Sequence, residues 1–157
     1  MGSEILFIKE FKQRLIDCYK QSWHDKLNSS EHFKTFFSFK SIIMKESFLS
    51  DINFNKSLRN VVVRFRLGVS RLNCHRYKFY SNKNLRKCPV CKANEENEFH
   101  VLFECFAYDD LRSKLPTSIV SSKTNLSMIT LLSSSEYYLC LAKFLLDMFD
   151  RRSDYVE

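Results

Sequence analysis

Four residues in the second half of the chain restrict its fold more than any others. Cys88 and Cys91 are separated by Pro89 and Val90. Eight residues then lead to His100, and four more lead to Cys105. Two cysteines at this spacing can wrap one metal ion from a tight knuckle, and three thiols with one imidazole complete a closed tetrahedral set of the kind zinc prefers. Cys88, Cys91, His100 and Cys105 are therefore the candidate ligands of one structural Zn²⁺ per chain. Three thiolates around Zn²⁺ leave about −1 on the site, which Arg86, Lys87 and Lys92 would offset while lowering the thiol pKa values. A redox role for Cys88 and Cys91 calls for a thioredoxin-like strand before them, and none is apparent. Cys74 and His75 remain alternative ligands, although adjacent side chains point apart. A closed ligand set has no open position for water, so catalysis by this metal is not expected.

The remaining cysteines, Cys18, Cys74 and Cys140, lie in apolar surroundings and read as buried free thiols. Without a secretory signal, reduced thiols are expected. No run of about 18 apolar residues suggests a transmembrane helix. These features predict an intracellular protein, nuclear or cytoplasmic, with no membrane partner.

Gly and Pro occur only twice each, which argues against a turn-rich β-sandwich or barrel and suits helices. Ser3 is a candidate cap for a helix over residues 4–27, with Leu6, Phe7, Phe11, Leu15, Cys18 and Tyr19 at helical spacing. Ser30 would cap a second helix carrying Phe33, Phe36, Phe37 and Phe39. Residues 47–55 read as either a short helix or an irregular loop. A third helix is predicted over 57–70, with Leu58, Val61, Val62, Phe65 and Val69 on its apolar face and Gly68 near its end. A helix over 97–114 would turn Phe99, Leu102, Phe103, Phe106 and Leu111 inward and end at Pro116. The serine-rich stretch 118–127 reads as a linker. A last helix over 135–152 aligns Tyr138, Leu141, Leu145, Met148 and Phe149. The expected fold is all-α, a helical domain with a small Cys-Cys-His-Cys zinc module inserted before a core helix. Its parts are N-terminal helices over 1–55, a basic helix plus zinc module over 56–115, and a linker with C-terminal helix over 116–157, together one compact domain.

The net charge of +7 is unevenly placed. Residues 52–94 contain eleven Lys or Arg and no Asp or Glu, so the rest of the chain is net acidic. Such segregation points to a polyanionic partner, RNA or DNA. Arg59, Arg64, Arg66, Arg71, Arg76, Lys78, Arg86 and Lys87 are the candidate phosphate contacts. Tyr77, Phe79 and Tyr80 among them could stack on unpaired bases, or fill the core. No Gly-rich phosphate loop or clustered carboxylate site is present. Asp109 and Asp110 follow Tyr108 and Ala107 and read as a solvated helix face. No catalytic residue, small-molecule substrate or oligomeric state is predicted.

Three segments resemble the region downstream of the polymerase domain in LINE-like, non-LTR retrotransposon reverse transcriptases. They are Phe11 to Trp23, Arg64 to Tyr77, and Cys88–Pro89–Val90–Cys91 through Asn97 to Cys105 and on to Tyr108–Arg112. The last is the most specific. The resemblance implies a zinc-binding region that assists nucleic-acid handling during target-primed reverse transcription, with Cys88, Cys91, His100 and Cys105 as ligands. The chain carries no polymerase or endonuclease motif, so polymerase activity does not transfer. A binding module is expected rather than an enzyme. The other class is a zinc-stabilised protein–protein adaptor domesticated from such an element.

Overall fold

The computed structural model describes residues 2–30, 36, 38, 40, 46–49, 51 and 54–156, the side chains of 2–5 and 47 aside. The expected helix after Ser30 falls mostly outside them. Phe36 alone of its four phenylalanines is described, half-buried and helical. Among the described residues every regular element is helical, and the one β feature is an isolated bridge between Lys87 and Glu95. The longer helices are α1 (Gly2–Ser29), α2 (Lys56–Arg66), the short α3 (Asn73–Arg76), α4 (Thr117–Ser122), α5 (Asn125–Ser133) and α6 (Tyr138–Ser153). No helix among the described residues is long and apolar enough to cross a membrane.

The core is built on α2 against α6. Asn55 caps α2, its side chain accepting from the Leu58 N–H at 3.0 Å. Leu58, Val61, Val62 and Phe65 then fall on one helical face and are buried. The helix stops at Gly68, which takes a φ of 66°. There the Val69 N–H reaches back to Arg64 O at 3.0 Å and the Gly68 N–H to Phe65 O at 3.2 Å, a Schellman closure that needs the left-handed backbone glycine tolerates. From α6, Tyr138, Leu141, Leu145, Met148 and Phe149 turn inward as their spacing predicts, together with Ala142 and Phe144. Phe48 and Phe54 complete this layer, with Phe48 edge-on to Tyr138 at 4.7 Å.

Four expectations are corrected. The serine-rich stretch is two short helices, because Ile119, Leu131 and Leu132 bury on the core and Thr124 caps α5 through the Ser127 N–H. The segment 97–114 is not one α-helix but a π turn (His100–Glu104) followed by 3₁₀ turns (Phe106–Tyr108 and Leu111–Lys114), and Phe106 ends up exposed. The apolar stripe of α1 is exposed too, at Leu6, Phe7, Phe11, Leu15 and Tyr19, because no core packs on these turns among the described residues. Cys18 is exposed with it, and Cys74 and Cys140 are half-buried rather than buried.

One buried carboxylate ties the parts together. Glu96 is 0% exposed and takes Arg152 of α6 in a forked pair, Nε to Oε1 at 2.6 Å and Nη2 to Oε2 at 2.8 Å. The Asn73 N–H donates to Oε2 at 2.7 Å, and Arg152 Nη2 also reaches Asn73 Oδ1 at 2.8 Å. Burial pulls the Arg152 pKa down, but Glu96 outweighs it and the net direction is up. Leaving one member of such a pair alone in the interior costs about 3–5 kcal/mol. We expect Arg152→Met to lower the urea midpoint accordingly, and Glu96→Leu with Arg152→Met to recover much of the loss. An unchanged midpoint in the single variant would show that the pair is not structural.

Candidate metal centre

The ligand atoms of Cys88, Cys91, His100 and Cys105 all lie within 4.8 Å of one another. Cys88 Sγ is 3.9 Å from Cys105 Sγ, and Cys91 Sγ is 3.3 Å from His100 Nε2. A tetrahedron with metal–sulfur bonds of about 2.3 Å has edges of about 3.8 Å. The four residues therefore lie close enough together to hold one ion. Cys88, His100 and Cys105 are buried and Cys91 is half-buried.

The first half of the site is a tight loop. Its base is the Lys87–Glu95 bridge, closed by Glu96 N–H to Arg86 O at 2.7 Å and Cys88 N–H to Asn94 O at 2.9 Å. Lys92 N–H returns to Cys88 O at 2.9 Å, and Lys92 takes a φ of 61° so that the chain can turn back. Backbone N–H groups then point at the sulfurs, Val90 and Cys91 at Cys88 Sγ, and Ala93 and Asn94 at Cys91 Sγ.

The second half depends on the π turn. At 100° per residue, an α-helix would set His100 and Cys105 about 140° apart. The π turn closes instead through Cys105 N–H to His100 O, five residues back, at 2.8 Å, and brings the two side chains round to one side. Asn97 starts the turn, its Oδ1 accepting from the His100 N–H at 2.8 Å. His100 Nδ1 lies 3.3 Å from Glu104 Oε2, leaving Nε2 for the ion, a carboxylate–histidine arrangement common behind metal ligands.

Arg112 holds this turn, and sequence reasoning missed it. Its buried guanidinium donates to Leu102 O at 2.7 Å, Val101 O at 3.2 Å and Cys105 O at 2.8 Å, and pairs with Asp109. Where the turn breaks from α geometry, one planar fork engages the Val101 and Leu102 carbonyls and shares the Cys105 carbonyl with the Tyr108 N–H at 3.1 Å. Only the placement of these carbonyls identifies this role, and that is not visible in a string of residues.

The electrostatics of the three thiols follow from burial and from the N–H groups around them. Burial pushes the Cys88 thiol up and the Cys105 thiol up to about 12. At Cys91 partial burial also raises the pKa, but the surrounding N–H groups and the Cys88 and Cys105 thiols outweigh it and the net direction is down. The expected lowering by Arg86, Lys87 and Lys92 is thus overridden by burial at two of the three sulfurs. Lys87 and Lys92 are exposed, and Arg86 is engaged by Tyr77 O, Lys78 O and Glu95. A cation between the sulfurs reverses the burial penalty.

A second cluster, Cys74, His75 and Glu98, also lies within 4.8 Å. Its hydrogen bonds assign it another role. The Ser70 N–H donates to His75 Nδ1 at 3.2 Å, which makes Nδ1 an acceptor and puts the proton on Nε2, 2.9 Å from Glu98 Oε1. A protonated Nε2 has no lone pair for a metal. The pair Asp109 and Asp110 is likewise engaged: Asp109 by Arg112, and Asp110 by both Nη atoms of Arg151, which hold its carboxyl down at about 2.

The eight candidate phosphate contacts separate by environment. Arg66 is a correction: it is buried, paired with Glu46 at 3.2 Å, and packed over Tyr138 at 4.9 Å, so it cannot reach a polyanion. Arg59 is half-buried and donates to Leu49 O and Phe54 O, and Lys78 is half-buried. Arg64, Arg71, Arg76 and Lys87 are exposed. Phe79 and Tyr80 are exposed, at 75% and 58%, while Tyr77 is half-buried against Tyr80.

Elemental analysis of chain purified without added metal should find one bound ion, lost in Cys105→Ser. Stoichiometric metal retained by that variant would show that the ligand set is wrong. Arg112→Lys cannot span three carbonyls and should weaken the metal by about 10–100-fold while the helical signal persists.

No family model, no curated protein and no solved structure matches this chain.

Proposed function

We propose that this chain is a zinc-stabilised nucleic-acid-binding module, of the kind found downstream of the polymerase in non-LTR retrotransposon reverse transcriptases, contacting RNA or DNA phosphates. The observation that carries the reading is the company kept by the exposed aromatics. Phe79 and Tyr80 stand in solvent within a segment that holds exposed Arg64, Arg71, Arg76 and Lys87 and no acidic residue from 52 to 94. Aromatic faces with adjacent cations are how proteins hold unpaired bases while neutralising the backbone. Three sulfurs and one imidazole within 4.8 Å of one another favour zinc over harder ions, which prefer oxygen. The closed set makes that zinc a folding element, and no side chain is assigned a catalytic step.

A protein–protein adaptor is the second reading, favoured by the exposed apolar stripe of α1. Titration with single-stranded RNA, duplex DNA and an acidic polypeptide separates the two. The nucleic-acid reading expects single strands to bind with steep salt dependence. It also expects Phe79→Ala or Tyr80→Ala to weaken them by about tenfold without changing that slope. Preference for the acidic polypeptide over every nucleic acid would select the adaptor.

A further inference from the structure

Between α2 and α6 lies a cleft of about 350 Å³. Ser57, Asn60 and Arg64 line it from α2, three and four residues apart and therefore on one helical face. Ser70 and Arg71 line it from the loop after α2, and Phe149 closes the floor from α6. No acidic side chain is among the described residues that line it. Neither arginine has an ion-pair partner among the described residues, whereas Arg66, Arg86, Arg112, Arg151 and Arg152 all do.

One of the two arginine walls, Arg71, is held in place. The Arg71 guanidinium packs over the Phe149 ring at 4.9 Å. Its neighbour Ser70 is buried, with its hydroxyl 2.9 Å from His75 Nδ1, and His75 Nε2 is 2.9 Å from Glu98 Oε1. The loop that presents Arg71 is thus anchored to the segment leading into the metal ligands. Two cations, the Ser57 hydroxyl and the Asn60 amide around one concavity match a tetrahedral oxyanion, and an arginine stacked beforehand loses little on ordering.

We propose that this cleft seats a phosphate group carried by a nucleic-acid strand, with Arg64 and Arg71 as its charged walls. The inference rests on the nucleic-acid reading above and gives it one defined contact point in place of a diffuse basic surface. The phosphate is either an internal phosphodiester or a strand end, and both offer non-bridging oxygens to the two guanidinium groups.

The test is anisotropy titration of the full chain with a short single-stranded oligonucleotide, carrying either a 5′-hydroxyl or a 5′-phosphate. Arg64→Ala and Arg71→Ala should each weaken binding by about tenfold, and the double variant should shallow the log–log salt slope by about 0.7. Lys83→Ala and Lys143→Ala, exposed cations outside the cleft, should change affinity by less than about twofold. Equal losses for both oligonucleotides support an internal phosphodiester in the cleft, and loss confined to the 5′-phosphate's added affinity supports a strand end. A double variant that binds as the native chain does, or lysine variants that lose as much, overturns the cleft while the module still binds nucleic acid. If the native chain binds neither oligonucleotide, the nucleic-acid reading fails. The cleft is then judged by inorganic pyrophosphate, where saturable shifts of the Arg64 and Arg71 Nε–H resonances support a phosphate seat and their absence overturns it.

Discussion

A carboxylate without solvent must be fully engaged or the fold around it fails, and Glu96 is the place where this chain accepts that constraint. Its side chain takes Arg152 from the last helix and the Asn73 N–H from α3. Its own backbone closes onto Arg86 O and receives the Cys74 N–H at 3.2 Å. Asn73 in turn donates to Lys87 O at 2.8 Å. The cysteine loop, the short helix α3 and the C-terminal helix α6 therefore meet at one residue outside the candidate ligand set. An apolar residue there would give up the directional bonds that set their mutual orientation.

Around that anchor, the candidate metal centre is made from two unlike halves. The cysteine loop presents sulfurs surrounded by backbone N–H groups, which suits thiolates. The His100–Cys105 half is held by side chains, Asn97 at its start and Arg112 beneath its carbonyls. One half is thus ordered by backbone closure and the other by a buried cation. This division explains how a five-residue spacing, unsuited to an α-helical face, can supply two ligands to one point.

Much of this was legible in the residues. The apolar periodicity of α2 and α6 is strong because both helices bury one face on each other, and local pattern and tertiary packing agree. The cysteines and histidine declared themselves by type and spacing. The π turn did not, because an apolar run over 97–114 looks the same whether it winds as α, π or 3₁₀. Serines at 121, 122 and 127 concealed two short helices, since their hydroxyls bond back to the chain at Ser118 O and Ile119 O and to Thr124 instead of opening a loop. The arginines were hardest to read. Arg66, Arg112 and Arg152 are chemically identical to Arg64 and Arg71, yet the first three are buried structural groups. Charge counts along a sequence cannot separate an internal ion pair from a surface one, and only burial does.

The distance along the chain between Glu96 and its guanidinium partner has a consequence for synthesis. The cysteine loop, His100 and Cys105 leave the ribosome well before Arg152, which sits in the last turn of α6. Until that turn arrives, Glu96 has no cation to balance it and must stay hydrated, which keeps its segment from closing over the core. The four candidate ligands are therefore on the chain before the residue that lets Glu96 bury. An ion entering between them at that stage would meet a loop still open to solvent, and the last helix would close over it afterwards.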